Sequence, residues 1–347
     1  MDVKYFSLKN IRKHNMPFNI IIGGRGSGKT FNSIRECTEA GEKIIYMRRT
    51  QDEVDLICKQ GDDVELSPFA KINKVSQSKP DMIDHFYELK KVDKKVYNIY
   101  DGLEDNQTFC GEVIALSTIA TIRGFDADWC DVILADEFVP EKHVRLIATG
   151  NAEGEAWLNA YETINRNREF EGRKPVQIFW MSNAFNIAHP LLDVLNVTGV
   201  LERMRRKKQE FVIFPNRGLT ITLYEDAEFM EQKKRTALYR LTEGTSFYDM
   251  SISNDFAYND FSMIRSLPLK EYNPVCNFDG ICVYRHKNRA EFYISLHLVE
   301  CKEYQDTEQG RRSFRMDYGR TLTNAFLSRR IVFESYSVKR KILEVVL

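Results

Sequence analysis

No stretch of the 347-residue sequence approaches the ~18 consecutive apolar residues that a membrane-spanning helix needs, so no such span is expected. The opening MDVKYFSLKNIRKHN carries charges throughout and has no apolar core. It does not read as a secretory signal, and a cytoplasmic protein is expected. Cysteine is sparse and unpatterned, with seven residues and no CxxC pair. Such a set reads as reduced thiols, not as a disulfide framework or a zinc site. The six histidines include no HxxxH pair, and no protein-built metal centre is expected. Internal repeats and low-complexity tracts are absent too. Net charge of either sign is missing: 50 Lys+Arg balance 50 Asp+Glu. That balance argues against a globally basic nucleic-acid binder but leaves local patches open. Such patches occur at RMRRKK (203–208) and KKR (233–235), and residues 261–347 carry fifteen Lys/Arg against ten Asp/Glu.

What is present begins with alternation. NIIIGG (19–24), KIIYMRR (43–49), EVIALST (112–118), DVILADE (131–137) and VQIFWMSN (176–183) are apolar enough to be buried strands. Helical segments at 29–41 and 154–170 separate them, and FYELKKVDKKVYNIYDG (86–102) reads as a hairpin with a charged turn. Apolar strands separated by helices predict a parallel sheet covered on both faces. After about residue 226 the texture changes. Residues 227–244 read as one polar, basic helix, and 275–301 as an antiparallel meander with turns at Asp279-Gly280 and Lys287-Asn288. Helices are expected around 318–330 and 337–346. The expected organisation is an α/β domain over 1–226, a lid or linker over 227–260 and a small α+β domain over 261–347.

GGRGSGKT, Gly23 to Thr30, fits GxxxxGK[ST] between a strand and a helix. In that pattern, glycines turn backbone N–H groups inward to cradle phosphates, aided by the positive end of the next helix. The nucleotide-binding candidates are therefore Gly23, Gly24, Arg25, Gly26, Ser27, Gly28, Lys29 and Thr30. Lys29 would neutralise the β- and γ-phosphates, and Thr30 would present its hydroxyl to Mg²⁺. DVILADE supplies the second half. Asp136 would hold Mg²⁺ through water, and Glu137 would polarise the attacking water. An adjacent Asp-Glu suits a hydrolase that performs mechanical work, with ATP and Mg²⁺ as its cofactors. EVIALST is expected to lie between the P-loop strand and the Asp-Glu strand, as in motor ATPases of the ASCE type. TINRNRE (163–169) puts Arg166 and Arg168 near a helix end, about 200° apart if helical. One would then face a neighbouring subunit, unless both make ordinary surface ion pairs. Asn183, ending FWMSN, would sense the γ-phosphate or simply cap a turn.

These motifs, with IYMRR (45–49), the ALS…DE segment (115–137), RNRE (166–169), SNA (182–184) and KKRTALYRLTEGTSFYDMSISNDF (233–256), occur in an order that resembles phi29-like phage DNA packaging ATPases. These are encapsidation proteins, compact relatives of the terminase large subunit. The resemblance implies a P-loop fold with an RNase H-like C-terminal domain. It also implies a pentameric ring of this chain, docked on a capsid portal, that drives double-stranded DNA inward, with or without a packaging RNA as adaptor. By resemblance Arg166 is a trans-acting arginine finger, and Arg123 is a further basic residue suspected of acting in trans. Arg48 and Arg49 match a family pair, with Arg48 and Arg168 as further candidates for contacts between subunits. The protein would work in the host cytoplasm, docked transiently on the procapsid and absent from the finished virion. No nuclease activity is expected, since the first strands of this region, VCNFDGICVYRHKN, offer only Asp279, in a turn. Lys90, Lys91, Lys94 and Lys95 in the hairpin are DNA candidates. Arg205, Arg206, Lys233, Lys234 and Arg235 would face DNA, portal or RNA. Two other readings stay open: a helicase-like P-loop ATPase, and a nucleotide-gated assembly protein without turnover.

Overall fold

The computed structural model describes residues 5–59, 67–78, 85–102, 106–119, 125–140, 152–183, 189–224, 227–245, 248 and 263–347. Arg123, and the later part of the expected lid, lie outside them. The chain divides into two compact units: Met1–Val194 with Arg203–Ala257, and Leu195–Glu202 with Tyr258–Leu347.

In the first unit the helices are α1 (Lys9–Arg12), α2 (Lys29–Glu39), α3 (Gln51–Ile57), α4 (Pro68–Ser78), α5 (Leu116–Ile119), α6 (Ala152–Asn165) and α7 (Pro190–Val194). After α8 (Thr198–Arg206), which spans the boundary between units, come α9 (Ala227–Lys234) and α10 (Ala237–Leu241). The strands are β1 (Phe18–Gly23), β2 (Ile44–Arg48), β3 (Tyr87–Asp93), β4 (Val96–Asp101), β5 (Thr108–Ala115), β6 (Val132–Asp136), β7 (Gln177–Ser182), β8 (Phe211–Phe214) and β9 (Leu219–Tyr224).

The strands form one sheet in the order β3-β4-β5-β2-β6-β7-β1-β9-β8. From β5 to β9 every neighbouring pair is parallel. The β3–β4 hairpin extends one edge, and β8 closes the other, both antiparallel. Ile21, Ile44, Tyr46, Leu134 and Phe179 bury against Ile34 of α2, Val54 of α3 and Phe69 of α4. On the opposite side, Phe18 of β1 meets Tyr161 of α6 at 4.9 Å between ring centroids. Alternate residues of each strand therefore feed two apolar layers, and the lack of strand alternation in the sequence follows from burial on both faces.

Several expected elements differ. The strand between β1 and β6 is β7, not EVIALST; β5 lies beyond β2. EVIALST also overlaps an element boundary, because β5 runs from Thr108 to Ala115 and Leu116 starts α5. Helix α6 ends at Asn165, where Arg166 takes φ of 42° and stops the helical path. The expected helix 227–244 is two, broken at Arg235-Thr236 before Gly244 (φ 78°). Strands β8 and β9 have no counterpart in the sequence reading.

In the second unit, β10 (Tyr272–Phe278), β11 (Ile281–His286) and β12 (Phe292–Ser295) form the expected meander. Asp279 (φ 40°) and Gly280 (φ 80°) make the first turn in the left-handed region that tight hairpins require. β13 (Glu303–Tyr304) runs parallel to β10, and β14 (Ile331–Phe333) parallel to β12, giving the order β13-β10-β11-β12-β14. The penultimate helical segment starts ten residues earlier than expected. It comprises α11 (Glu308–Phe314), a π-helical turn (Arg315–Gly319) and α12 (Arg320–Leu327). With α13 (Tyr336–Val346) these helices cover Phe278, Ile294 and Phe333 through Phe314, Leu322 and Ile342.

Candidate functional site

The C-terminal edge of the parallel sheet gathers the phosphate loop, Thr30, Asp136, Glu137 and Asn183. β1 delivers the loop 24–28 into α2, and Gly26 (φ 76°) and Gly28 (φ 85°) adopt the left-handed conformation that lets the loop curl. The loop is tied from outside by the N-terminal segment: Phe6 N–H donates to the Ser27 carbonyl at 2.9 Å, and Asn32 Nδ2 to the Phe6 carbonyl at 2.7 Å. Lys29 is buried inside it. Its ammonium donates to the carbonyls of Gly23 and Gly24 at 2.9 Å each and to Asn183 Oδ1 at 3.3 Å. Burial lowers the Lys29 pKa to about 8, with Asp136 and Glu137 opposing the shift and Lys233 adding to it.

Thr30 Oγ1 donates to Asp136 Oδ2 at 2.8 Å. The same oxygen accepts from the Tyr46 hydroxyl at 2.6 Å, while Oδ1 accepts from the Glu137 backbone N–H at 3.1 Å. Burial, then the Asp136 charge, push the Tyr46 pKa up, so the phenol stays a donor. Tyr46 is a site residue that sequence reasoning missed. Its signal was only a tyrosine facing the core of a strand. Thr30 and Asp136 present hard oxygen donors of the kind that bind Mg²⁺ through its water shell, so the residues fit that ion.

Glu137 stands past the strand end with φ of 55° and a half-exposed side chain. Arg48 donates to its Oε2 at 2.6 Å and lies 3.7 Å from Asp136 and 3.3 Å from Glu53. Burial disfavours the Arg48 charge, but Tyr46, Asp136, Glu137 and Glu53 hold its pKa above the ordinary value. Arg48, expected to face a neighbour, is thus engaged with its own chain's carboxylates. Arg49 turns the opposite way. It makes a fully buried bidentate pair with Glu153 (2.8 and 3.1 Å), and His189 Nε2 meets the same carboxylate at 3.4 Å.

Arg166 and Arg168 lie near a helix end, as expected, but in the turn after α6 and not on the helix itself. Arg166 donates to the carbonyls of Thr163 and Phe125, and Arg168 to those of Cys130 and Asp128. Cys130 precedes β6, and Asn165 Oδ1 accepts from Val176 N–H just before β7. This turn therefore sits at the N-terminal edge of the sheet. Five residues of β6 separate that edge from Asp136, roughly 16 Å at 3.3 Å per residue.

In the hairpin, Lys90 and Lys91 lie over the rings of Tyr100 and Tyr97 at 5.3 and 5.2 Å. Lys94 and Lys95 form the exposed tip. Arg206 and Arg235 are exposed and Arg205 is half-buried. Lys234 pairs with Glu231 at 2.5 Å, whereas Lys233 reaches the phosphate loop at Arg25.

A phosphate cradle after a central parallel strand, with an Asp-Glu pair two strands away, defines a P-loop ATPase fold. Within that class, the chain belongs to the podovirus DNA encapsidation protein (Gp16) family, whose model matches residues 1–275. It is 25% identical over 256 residues to the DNA packaging proteins of Bacillus phages PZA and phi29, matching 73% of this chain and 66% of each relative, just under two thirds of their length. Two solved structures share the fold. One is the bacteriophage phi29 viral genome packaging motor assembly, with a TM-score of 0.67, 21% identity and 98% of both chains covered. The other is the phi28 gp11 DNA packaging motor, with a TM-score of 0.62, 17% identity, and 100% of this chain and 98% of that chain covered.

Proposed function

We propose that this protein hydrolyses ATP, with Mg²⁺, to drive double-stranded DNA through a portal into a preformed viral capsid, acting as a ring of identical subunits, a pentamer by family resemblance. One observation carries the reading. The cradle, Asp136 and Glu137 form a hydrolytic set at one edge of the sheet, while Arg166 is anchored at the other. An arginine side chain spans less than half that distance, so Arg166 does not reach the cradle of its own subunit. An adjacent subunit whose Arg166 meets the γ-phosphate would complete the site and couple turnover around the ring.

Within one subunit, Lys29 and the loop N–H groups bind the phosphates, and Asn183 holds Lys29 toward them. Thr30 and Asp136 would hold Mg²⁺, which when bound would supply charge neutralisation for phosphoryl transfer. Glu137 orients the water once Arg48 yields its carboxylate, since a base committed to a guanidinium is a poor acceptor. The segment from 227 to 260 acts as the lid. The meander with β13 parallel to its first strand supports an RNase H-like reading of the C-terminal unit; β14, beside the third strand, departs from that pattern. The only carboxylate in its first turn, Asp279, is taken by Lys341, which supports translocation without cleavage. The protein is placed in the host cytoplasm, docked on the procapsid during packaging and absent from the finished virion. A packaging RNA is compatible with this reading and is not required by it.

The test mixes variants. Glu137→Gln and Arg166→Ala should each abolish ATPase activity, and mixing them should restore part of it in shared rings. No recovery at any ratio, with assembly confirmed, would refute the trans role of Arg166. Turnover stimulated by duplex DNA supports the motor; stimulation by single strands or forks instead points to a helicase, and none to a nucleotide-gated assembly protein.

A further inference from the structure

Lys233 is one of the basic residues that the sequence offers to nucleic acid, yet the fold turns it inward. Its ammonium donates to the carbonyl of Arg25, in the middle of the phosphate loop, at 3.2 Å. The same ammonium lies 4.9 Å from the Tyr239 ring centroid and 5.9 Å from that of Phe229. Phe229 also touches the loop: the position a Cβ would take at Gly26 is 3.5 Å from Phe229 Cζ. Met230 and Tyr239 bury together with Phe229 and Tyr248 packed against them, so α9 and α10 share a small core that holds the lysine in place.

Two physical consequences follow. The Arg25 carbonyl and the Gly26 N–H belong to one peptide group. An ammonium bound to the oxygen polarises that group and makes the N–H a stronger donor. The second consequence is charge. Lys233 and Lys29 bring two like-charged ammonium groups to one loop, where they repel each other. A polyphosphate is the ligand that relieves this repulsion, because it places several negative charges among the loop N–H groups.

We propose that Lys233 is a positioning residue for nucleotide binding: through the Arg25 carbonyl it seats the α9–α10 segment on the phosphate loop, so that occupancy by a nucleoside triphosphate and seating of this segment reinforce each other. The proposal rests on the reading of Gly23–Thr30 as the nucleotide site.

The experiment measures binding of a non-hydrolysable ATP analogue with Mg²⁺, and of inorganic tripolyphosphate, to wild type, Lys233→Met, Lys233→Arg and Lys29→Met. Hydrogen exchange across 227–241 is followed in parallel. Lys233→Met, with an unchanged thermal midpoint, should weaken both ligands about tenfold and abolish the ligand-induced slowing of exchange. Lys233→Arg should recover most of both effects. Affinity within twofold of wild type in Lys233→Met overturns the proposal. So does weakening of the analogue without weakening of tripolyphosphate, which would place Lys233 on the base side. Unimpaired binding by Lys29→Met is a separate failure, of the nucleotide site itself.

Discussion

Lys29 shows how one side chain is tuned by the loop it closes. Its ammonium is buried, held by carbonyl oxygens, and its pKa falls to about 8 because burial penalises the charge more than Asp136 and Glu137 restore it. The folded form therefore binds fewer protons than the unfolded chain between about pH 8 and the ordinary lysine value of 10.5. In that window the stability of the free protein rises with pH, as this burial cost is relieved. Phosphates favour the charged form. Nucleotide binding near pH 9 should therefore take up close to one proton per site, read as a binding enthalpy that changes with the buffer's ionisation enthalpy. At pH 7, where Lys29 is already protonated, the dependence should vanish. An enthalpy independent of buffer at pH 9 would show that the lysine is fully charged before the ligand arrives.

At the scale of elements, Arg49, Glu153 and His189 tie the end of β2 to α6 and to the start of α7. The approach is close: a Cβ on Gly154 would sit 2.5 Å from the Pro190 carbonyl oxygen, so only glycine allows α7 to pack there. His189 Nδ1 accepts from Leu191 N–H at 3.2 Å, which leaves Nε2 as the protonated nitrogen facing Glu153. Burial lowers the His189 pKa, so the ring is neutral and Glu153 is balanced by Arg49. Removing Glu153 strips the buried Arg49 of its two short hydrogen bonds, with Glu53 remaining at 3.8 Å. Glu153→Ala should cost about 3–5 kcal/mol of stability. In a unit of this size that is a fall of the order of 10 °C in thermal midpoint. A change under about 1 kcal/mol would mean that water enters and solvates Arg49. Consecutive arginines thus differ in partner: Arg48 pairs with Asp136 and Glu137, and Arg49, just past the strand, with Glu153.

For the whole molecule, the placement of charge replaces net charge as the guide to partners. Neutral overall, the chain concentrates exposed lysines at the tip of the β3–β4 hairpin, at the edge of the sheet beyond β5. Lys90 and Lys91 are exposed but lie over the hairpin's own tyrosines, whereas Lys94 and Lys95 project at the exposed tip. Charge reversal of both should weaken duplex binding severalfold and make its salt dependence shallower by about one to two counterions. The same variants should lower DNA-stimulated turnover without changing basal turnover. An unaltered salt slope would remove the hairpin from the DNA path.

The cradle, the Asp-Glu pair, the buried strands and the meander were legible in the sequence because each is a local pattern: a glycine spacing, an apolar run into acid, a two-residue turn. Strand order was not, since the apolar runs at 112–118 and 176–183 are equally suited to the position beside β1, and packing alone put β7 there. Nor was the turn at Arg166, where a helical pattern persists past the residue that breaks it. The partners of the charged residues were the least legible. Arg48 and Glu137 are 89 residues apart, and Lys233 and Arg25 are 208 apart. Charge and motif named these residues as functional. Which carboxylate or carbonyl each one reaches depends on chain crossings that bring distant segments to one sheet edge, and only the tertiary structure decides those.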